Sequence, residues 1–195
     1  MGGIMKKVIF VLALVFCAVP LVAYERTEML IGDKIQSGSF GAPVARYTQV
    51  DGKWGLMFGG RGGWIINNAF VLGGGGYKLV DNNLKSDIVD SSGGRQSFEL
   101  NYGGIEMEYI AQHDDLVHIG IGALLGGGNA GLSGCESASF FVIEPGMNVE
   151  LNVSRHFRIN LGAAYRLVSG VDTANLSNEK INGTSITIAF KFGKF

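Results

Sequence analysis

The feature that most constrains the fold is a two-residue alternation of apolar and polar side chains along residues 140–168. In its second half the apolar phase begins at Phe157, while the opposite phase carries Arg158 and Arg166. Successive side chains of a β-strand point to opposite faces of the sheet. The stretch therefore predicts a hairpin, turning at 154–156, with one apolar face and one polar, charged face.

The length of this alternation separates two kinds of β-protein. The run 157–168 is twelve residues long, whereas strands of soluble proteins usually have about five or six. A strand that crosses a bilayer at about 45° needs roughly 9–11 residues. Glu144 and Glu150 also lie in the polar phase, so this face carries both signs of charge. Such a face suits the narrow interior of a small closed barrel whose exterior is apolar.

The first 23 residues have the parts of a secretory signal peptide. Lys6 and Lys7 form the positive start, an apolar core follows, and Ala23 is the small residue before the expected cleavage. The apolar run, about 16 residues at 8–23, is too short for a spanning helix of about 20. We expect a polar periplasmic lead-in at 24–40 and a barrel domain at 41–195.

Several other classes of site are disfavoured by the sequence. A net charge of −1 offers no electrostatic footprint for nucleic acid. After cleavage Cys135 is the single cysteine, which excludes an intramolecular disulfide and leaves its role open. The run Gly73 to Gly76 lacks the spacing of a phosphate loop and more often marks curvature in a strand. No catalytic residue, cofactor or metal is expected.

The chain divides into eight apolar-alternating runs separated by turn signals. Asp51-Gly52 and Asn67-Asn68 mark two tight turns. The predicted strands are 41–50, 53–66, 69–79, 97–112, 116–128, 138–153, 157–168 and 183–193. In the strand 97–112 the apolar phase slips at Gly103-Gly104, which predicts a β-bulge. A second bulge is expected at Pro145-Gly146, because proline removes a ladder hydrogen bond.

The connections between these strands alternate in length after the first hairpin. Outer-membrane barrels have an even number of strands, short periplasmic turns and longer external loops. The short connections are at 67–68, 113–115 and 154–156, and the long ones are at 80–96, 129–137 and 169–182. The sequence therefore predicts an all-β fold: an eight-stranded antiparallel up-and-down transmembrane β-barrel with both ends in the periplasm. Only the short external turn at 51–52 departs from the pattern.

The stretch 59–77, GGRGGWIINNAFVLGGGGY, the eight-strand layout and the final Phe195 resemble small outer-membrane β-barrel proteins of Gram-negative bacteria, with OmpX/Ail-like or OmpA-like architecture. The resemblance covers about residues 40–195. It implies location in the cell outer membrane and contact with outer-membrane lipid and lipopolysaccharide. It also implies that the barrel-assembly machinery recognises the final phenylalanine, although Phe190 and Phe192 are out of phase with it.

Eight strands leave an interior just wide enough for side chains, so no open pore is expected. Charged residues there are tolerable only when paired. We predict a lumenal ion-pair network formed by Arg61, Glu106, Glu108, His118, Glu144, Glu150, Arg158, Arg166 and Lys191. Glu106 and Glu108 share a face and are interpreted as partners of Arg158, Arg166 or Lys191. Aromatic girdles at the strand ends are predicted at Trp54, Trp64, Tyr77, Tyr109, Phe157 and Tyr165.

Three functions are compatible with this sequence. The favoured one is a structural or surface-interaction barrel that acts through external loops 80–96, 129–137 and 169–182. A lipid-modifying enzyme would need a nucleophile beside a histidine. Of His113, His118 and His156 only His118 is expected in the lumen, and no serine neighbours it in sequence. A soluble, lipocalin-like carrier would have the faces inverted, with the apolar phase lining a cavity for a hydrophobic ligand.

Overall fold

A computed structural model describes residues 37–81, 84–89, 95–113, 115–133, 137–171 and 176–195. The predicted signal peptide, most of the lead-in and Cys135 lie outside these residues. The strands are β1 Ser37–Val50, β2 Lys53–Ile66, β3 Phe70–Leu79, β4 Lys85–Val89, β5 Arg95–Ala111, β6 Val117–Leu132, β7 Ala138–Ser154, β8 Phe157–Ser169 and β9 Gly183–Lys194. One helical turn, α1, spans Asn178–Ile181. In the described part of the chain, no helix has the length and apolar character needed to cross a bilayer.

Eight of these strands form a closed antiparallel barrel. Consecutive barrel strands are neighbours, β1 pairs with β9, and β3 pairs with β5 past the short β4. Strand β4 pairs only with the start of β5, where Lys85 lies opposite Ser97. The predicted fold class and the count of eight barrel strands are confirmed. Closure leaves the barrel without a free sheet edge.

The connections define two ends of the barrel. We call "turn end" the one with the connections 67–69, 112–116 and 155–156, and "loop end" the one with 51–52, 80–94, 133–137 and 170–182. At both predicted tight turns, Asp51-Gly52 and Asn67-Asn68, the two residues have φ between 50° and 74°. Such positive φ values are typical of two-residue hairpins.

Two strands are longer than the sequence pattern indicates. β1 begins at Ser37, four residues before the predicted start, and its buried and exposed residues alternate from that point. β6 continues to Leu132, so the first four residues of the predicted loop 129–137 belong to the barrel wall. The added residues of β6 extend the wall at the loop end, whereas those of β1 lie at the turn end. β5, β6 and β7 are the longest strands, with 17, 16 and 17 residues.

The apolar phase of the strands points out of the barrel and the charged phase points in. Leu161 is 55% exposed, whereas Glu150 and Arg166 are buried. The exposed large apolar residues surround the wall and include Phe58, Leu72, Ile105, Ile121, Met147, Val149, Leu161, Ile186 and Phe192. This orientation does not fit the lipocalin-like alternative, which requires the apolar phase to line a cavity.

Most residues of the predicted aromatic girdle face outward, as the prediction requires. Trp54, Trp64, Tyr109 and Tyr165 are exposed on the outer surface, and Phe157 is half-exposed there. Trp54 stacks on the outward Tyr47, with ring centroids 5.1 Å apart. Tyr77 is the exception, because its ring is buried inside the barrel.

The bulge predicted at Gly103-Gly104 is wrong. β5 keeps one register through these residues against both neighbours, β3 and β6. The apolar phase changes because Phe98, Leu100 and Tyr102 face the interior, whereas Ile105 faces outward. The strand is regular, and its surroundings change along it: the outer face is apolar in the middle of the barrel and polar near the loop end.

The bulge predicted at Pro145-Gly146 is also wrong. Pro145 pairs with Ala123 of β6 in an unbroken register. Towards β8 the ladder skips two residues and resumes with Gly146 opposite Ala164 in the same register. The missing amide therefore interrupts the ladder only locally. The irregularity of β7 lies instead between Asn152 and Ser154, beside the turn to β8.

Candidate functional site

The interior of the barrel has two chemically different layers. Towards the loop end it is apolar, and part of this layer comes from residues in the connections, which pack over the barrel mouth. We call it the apolar plug; it consists of Leu79, Leu84, Phe98, Leu100, Leu132, Val142, Val168, Val171, Leu176 and Ile181. The connections at the loop end are thus anchored by the same kind of burial that stabilises a soluble core.

Arg166 joins this plug to the barrel rim. It is fully buried and donates from Nε to the carbonyl of Ile181 in α1 at 2.9 Å. Its Nη1 donates to Thr48 Oγ1 at 3.0 Å, and its Nη2 donates to the Gln49 carbonyl at 2.8 Å. Arg166 points into the barrel, and these partners are neutral oxygens at the loop end and not carboxylates.

Towards the turn end, four charged or polar side chains surround Glu150. Arg158 Nη1 donates to Glu150 Oε1 at 3.1 Å, and His118 Nε2 lies 3.3 Å from the same oxygen. Lys191 Nζ forms a close ion pair with Oε2, to which Asn160 Nδ2 also donates at 3.2 Å. We call these five residues the turn-end cluster. One carboxylate here pairs with two buried cations.

A second cluster occupies the middle of the barrel around Arg61. Its Nη2 lies 2.7 Å from Glu108 Oε2, and its Nε lies 2.7 Å from Glu106 Oε2. The hydroxyl of Tyr77 donates to Glu106 Oε1 at 2.5 Å. Lys191 Nζ is 3.6 Å from Glu108, so this cation connects the central cluster to the turn-end cluster. The partners expected for Glu106 and Glu108 were Arg158, Arg166 or Lys191, but Arg61 is the closest.

Arg46 completes the network and was missed by the sequence reasoning. It donates from Nη1 to Glu144 Oε1 at 2.5 Å and to the Tyr102 hydroxyl at 2.7 Å. Its Nε donates to Thr187 Oγ1 at 3.1 Å, and its guanidinium carbon lies 3.9 Å from the centroid of the Tyr77 ring. The missed signal was the two-residue spacing of Val44, Arg46 and Thr48 on β1. This spacing puts Arg46 on the inward face of the strand, between two other buried residues.

The charges in this lumen nearly balance. Four carboxylates face five guanidinium or ammonium groups, and one of the five, Arg166, binds neutral oxygens. A cavity of about 70 Å³ lies among Arg46, Arg61 and Glu144. Glu144 Oε2 and Asn148 Oδ1 lie beside it as buried acceptors without a hydrogen-bond partner among the described residues. A small polar cavity of this kind suits ordered water.

His118 and His156 both lie towards the turn end, in different surroundings. His118 is buried in the turn-end cluster, where its Nε2 faces Glu150. His156 is exposed in the turn between β7 and β8, and the backbone carbonyl of His156 accepts a hydrogen bond from the Gly193 amide at 3.1 Å.

Inward glycines make room for the large side chains of the network. A Cβ on Gly59 would overlap the Gly76 carbonyl oxygen and lie 2.6 Å from the Tyr77 ring. A Cβ on the neighbouring Gly60, which faces outward, would have the Ala42 carbonyl oxygen as its nearest atom, at 3.5 Å. The two residues therefore form a matched pair, because they are adjacent on β2 and differ in the face that they present.

We expect Gly59→Ala to destabilise the barrel by about 1–3 kcal/mol, the usual effect of overpacking. Gly60→Ala should be neutral or stabilising by up to about 1 kcal/mol, because alanine restricts the unfolded chain. Urea unfolding of the refolded variants measures both. Equal effects at the two positions would contradict this role of the inward glycine.

The comparisons with known proteins agree with this architecture. No protein-family model matches the chain, and no curated protein matches it in sequence. Among solved structures, neisserial surface protein A is similar with a TM-score of 0.55 and 16% identity, over 84% of this chain and 100% of the other. The attachment invasion locus protein Ail of Yersinia pestis, in complex with the heparin analogue sucrose octasulfate, has a TM-score of 0.52 and 13% identity, over 80% of this chain and 97% of the other. The chain thus has the fold of the small eight-stranded outer-membrane β-barrels.

Proposed function

We propose that this protein is an integral outer-membrane barrel of a Gram-negative bacterium, with a structural or surface-interaction role carried by its loop end. The observation that carries the proposal is a closed barrel with an apolar outer belt around a paired ionic interior. In hydrocarbon every backbone polar group must be bonded within the protein, and a closed sheet satisfies that condition. In water the same exposed belt would be a large aggregation-prone surface.

The height of the belt supports this location. On β8 the outward apolar residues run from Phe157 to Leu167. Ten residue steps at about 3.3 Å, tilted by roughly 40°, span about 25 Å, which is the usual height of the apolar band. Outward Trp54 lies on the loop-end side of the belt and outward Trp64 lies on the turn-end side, where indole rings favour the interface.

The loop end is the proposed external end, since short turns usually face the periplasm. Above the belt the outer face of the wall becomes polar, with Lys78, Glu99 and Asn101 exposed. Lys78 and the exposed Arg95 would lie near the phosphates of lipopolysaccharide. The connections 80–94, 133–137 and 170–182 would meet a surface partner. The similar Ail structure is a complex with the heparin analogue sucrose octasulfate. That ligand is a property of the Ail structure.

The final strand is the proposed contact for the barrel-assembly machinery. Phe190 and Phe192 point outward on β9, where a partner in the membrane would reach them. Phe195 instead turns back to the barrel, and the Arg158 guanidinium carbon lies 4.0 Å from the centroid of its ring. We therefore expect Phe190 and Phe192 to be recognised during insertion.

Heat-modifiable gel mobility tests the membrane assignment. A detergent extract of the cell envelope should give a compact band that shifts to the full apparent mass on boiling. The closed, ion-paired barrel resists detergent until it is heated, and the shift reports its loss. Recovery of the protein as a fully soluble periplasmic species, without detergent, would contradict the assignment.

A further inference from the structure

We propose that the turn-end rim of β8 and β9 binds the headgroup of an anionic phospholipid. This inference rests on the proposed membrane location, with the turn end in the phospholipid leaflet. We call the site the rim site; it is an open concavity lined by Asn152, Ser154, Arg155, His156, Arg158, Lys194 and Phe195.

The rim site combines exposed cations with buried polar atoms that lack partners. The cations Arg155 and Lys194 are exposed around the concavity, and the exposed His156 ring lies beside them. Arg158 is nine-tenths buried at its wall, and its Nε has no hydrogen-bond partner among the described residues, nor has Asn152 Oδ1. A phosphate would accept from the Arg158 Nε–H, and a headgroup hydroxyl would donate to Asn152. Charge-assisted hydrogen bonds of this kind are the strong ones.

An aromatic surface adjoins the rim site on the side of the apolar belt. Phe157 stacks on Phe192, with ring centroids 4.9 Å apart, and on Phe190 at 6.4 Å. Lys194 follows Phe192 on the same outward face, so its Cα lies about 7 Å further along the strand. A lipid whose acyl chains pack on these rings would have its phosphate at the level of Lys194. A soluble anion has no acyl chains and would not use the aromatic surface.

The cations are concentrated in this sector of the turn end. The described residues of the other two turns include Asn67, Asn68, Gln112, His113 and Asp115, but no lysine or arginine. Glu150 lies next to the rim site, and its carboxylate is already paired with Arg158 and Lys191. Among the described turns at this end, the lysine and arginine side chains are therefore on one side only, which favours a single bound anionic headgroup over a diffuse attraction to the leaflet.

Native mass spectrometry of the delipidated full-length barrel tests the rim site. The probes are phosphatidylglycerol, phosphatidylethanolamine and glycerol phosphate, which lacks acyl chains. The variant is Arg155→Gln/Lys194→Gln, and the matched control is Lys78→Gln/Arg95→Gln, which removes two exposed cations at the loop end. Because a basic residue near a membrane surface contributes about 1 kcal/mol, we expect phosphatidylglycerol to bind the rim variant at least tenfold more weakly.

The control should bind phosphatidylglycerol like the parent protein, and phosphatidylethanolamine should bind every form equally weakly. Equal losses in the two variants would overturn the proposal, as would tight binding of glycerol phosphate alone, which would assign the site to a free phosphate. Heat-modifiable mobility of each sample is measured first. A folded, inserted barrel that binds no phosphatidylglycerol refutes only the rim site, whereas a protein that fails to insert refutes the membrane assignment.

Discussion

Glu150→Gln is expected to lower the free energy of unfolding by about 3–5 kcal/mol, the largest effect of any single change considered for the lumen. The carboxylate is 1% exposed and lies between Lys191 and Arg158. The amide keeps the shape but removes the charge, so Arg158 and Lys191 lose the anion they share, and Glu108, 3.6 Å from Lys191 Nζ, compensates only one of them. Repulsion and lost hydration both oppose folding.

The measurement is urea unfolding in lipid vesicles, followed by the emission of the outward Trp54 and Trp64. Glu99→Gln is the control, because Glu99 is exposed on β5 near the loop end and its substitution should change stability by less than about 0.5 kcal/mol. A loss below about 1 kcal/mol for Glu150→Gln would mean that water already screens the turn-end cluster.

Leu161→Arg is expected to destabilise the inserted barrel by about 2–4 kcal/mol. Leu161 lies outward near the middle of β8, with apolar neighbours Val149 and Ile188 on the flanking strands. An arginine there would place its charge in hydrocarbon, where hydration is lost. The same substitution would be harmless if this face met water.

Ser169→Arg on the same strand and the same face is the matched control. Ser169 is exposed at the loop end of β8, above the belt, where an arginine should change stability by about 0–1 kcal/mol. Refolding yield into vesicles and urea midpoints measure both variants. A similar loss at 161 and 169 would show that depth in a bilayer does not determine the effect.

The sequence was sufficient for the strands because one rule, alternation with a period of two, holds along most of the wall. The rule assumes that the outer face of each strand is apolar along its entire length, and it gives the wrong result where the outer face is polar. Phe98 and Leu100 point inward because that part of β5 lies beyond the belt. A shift of the apolar residues to the other face can come from a β-bulge or from an outer face that turns from apolar to polar. Only the pairing register of β5 with its neighbouring strands distinguishes the two cases.

The lumenal charges could be located from sequence, but their pairing could not. Partners such as Arg46 and Glu144 are 98 residues apart, and which charges meet depends on the stagger between strands. Arg46 was missed because β1 was not divided into faces, although its alternation was available. Tyr77 was assigned to the interface from its place near a strand end, but its parity on β3 with Val71 placed it inside.

The apolar plug has an electrical consequence for a barrel in a membrane. The ionic clusters could exchange water with the periplasm at the turn end, but any permeating ion would next meet the apolar side chains of Phe98, Leu132 and Val142, which cannot replace its hydration shell. Born energies for such a transfer reach tens of kcal/mol. The molecule should therefore behave as an insulator, silent in single-channel recording, and its many charges would add no leak to the envelope.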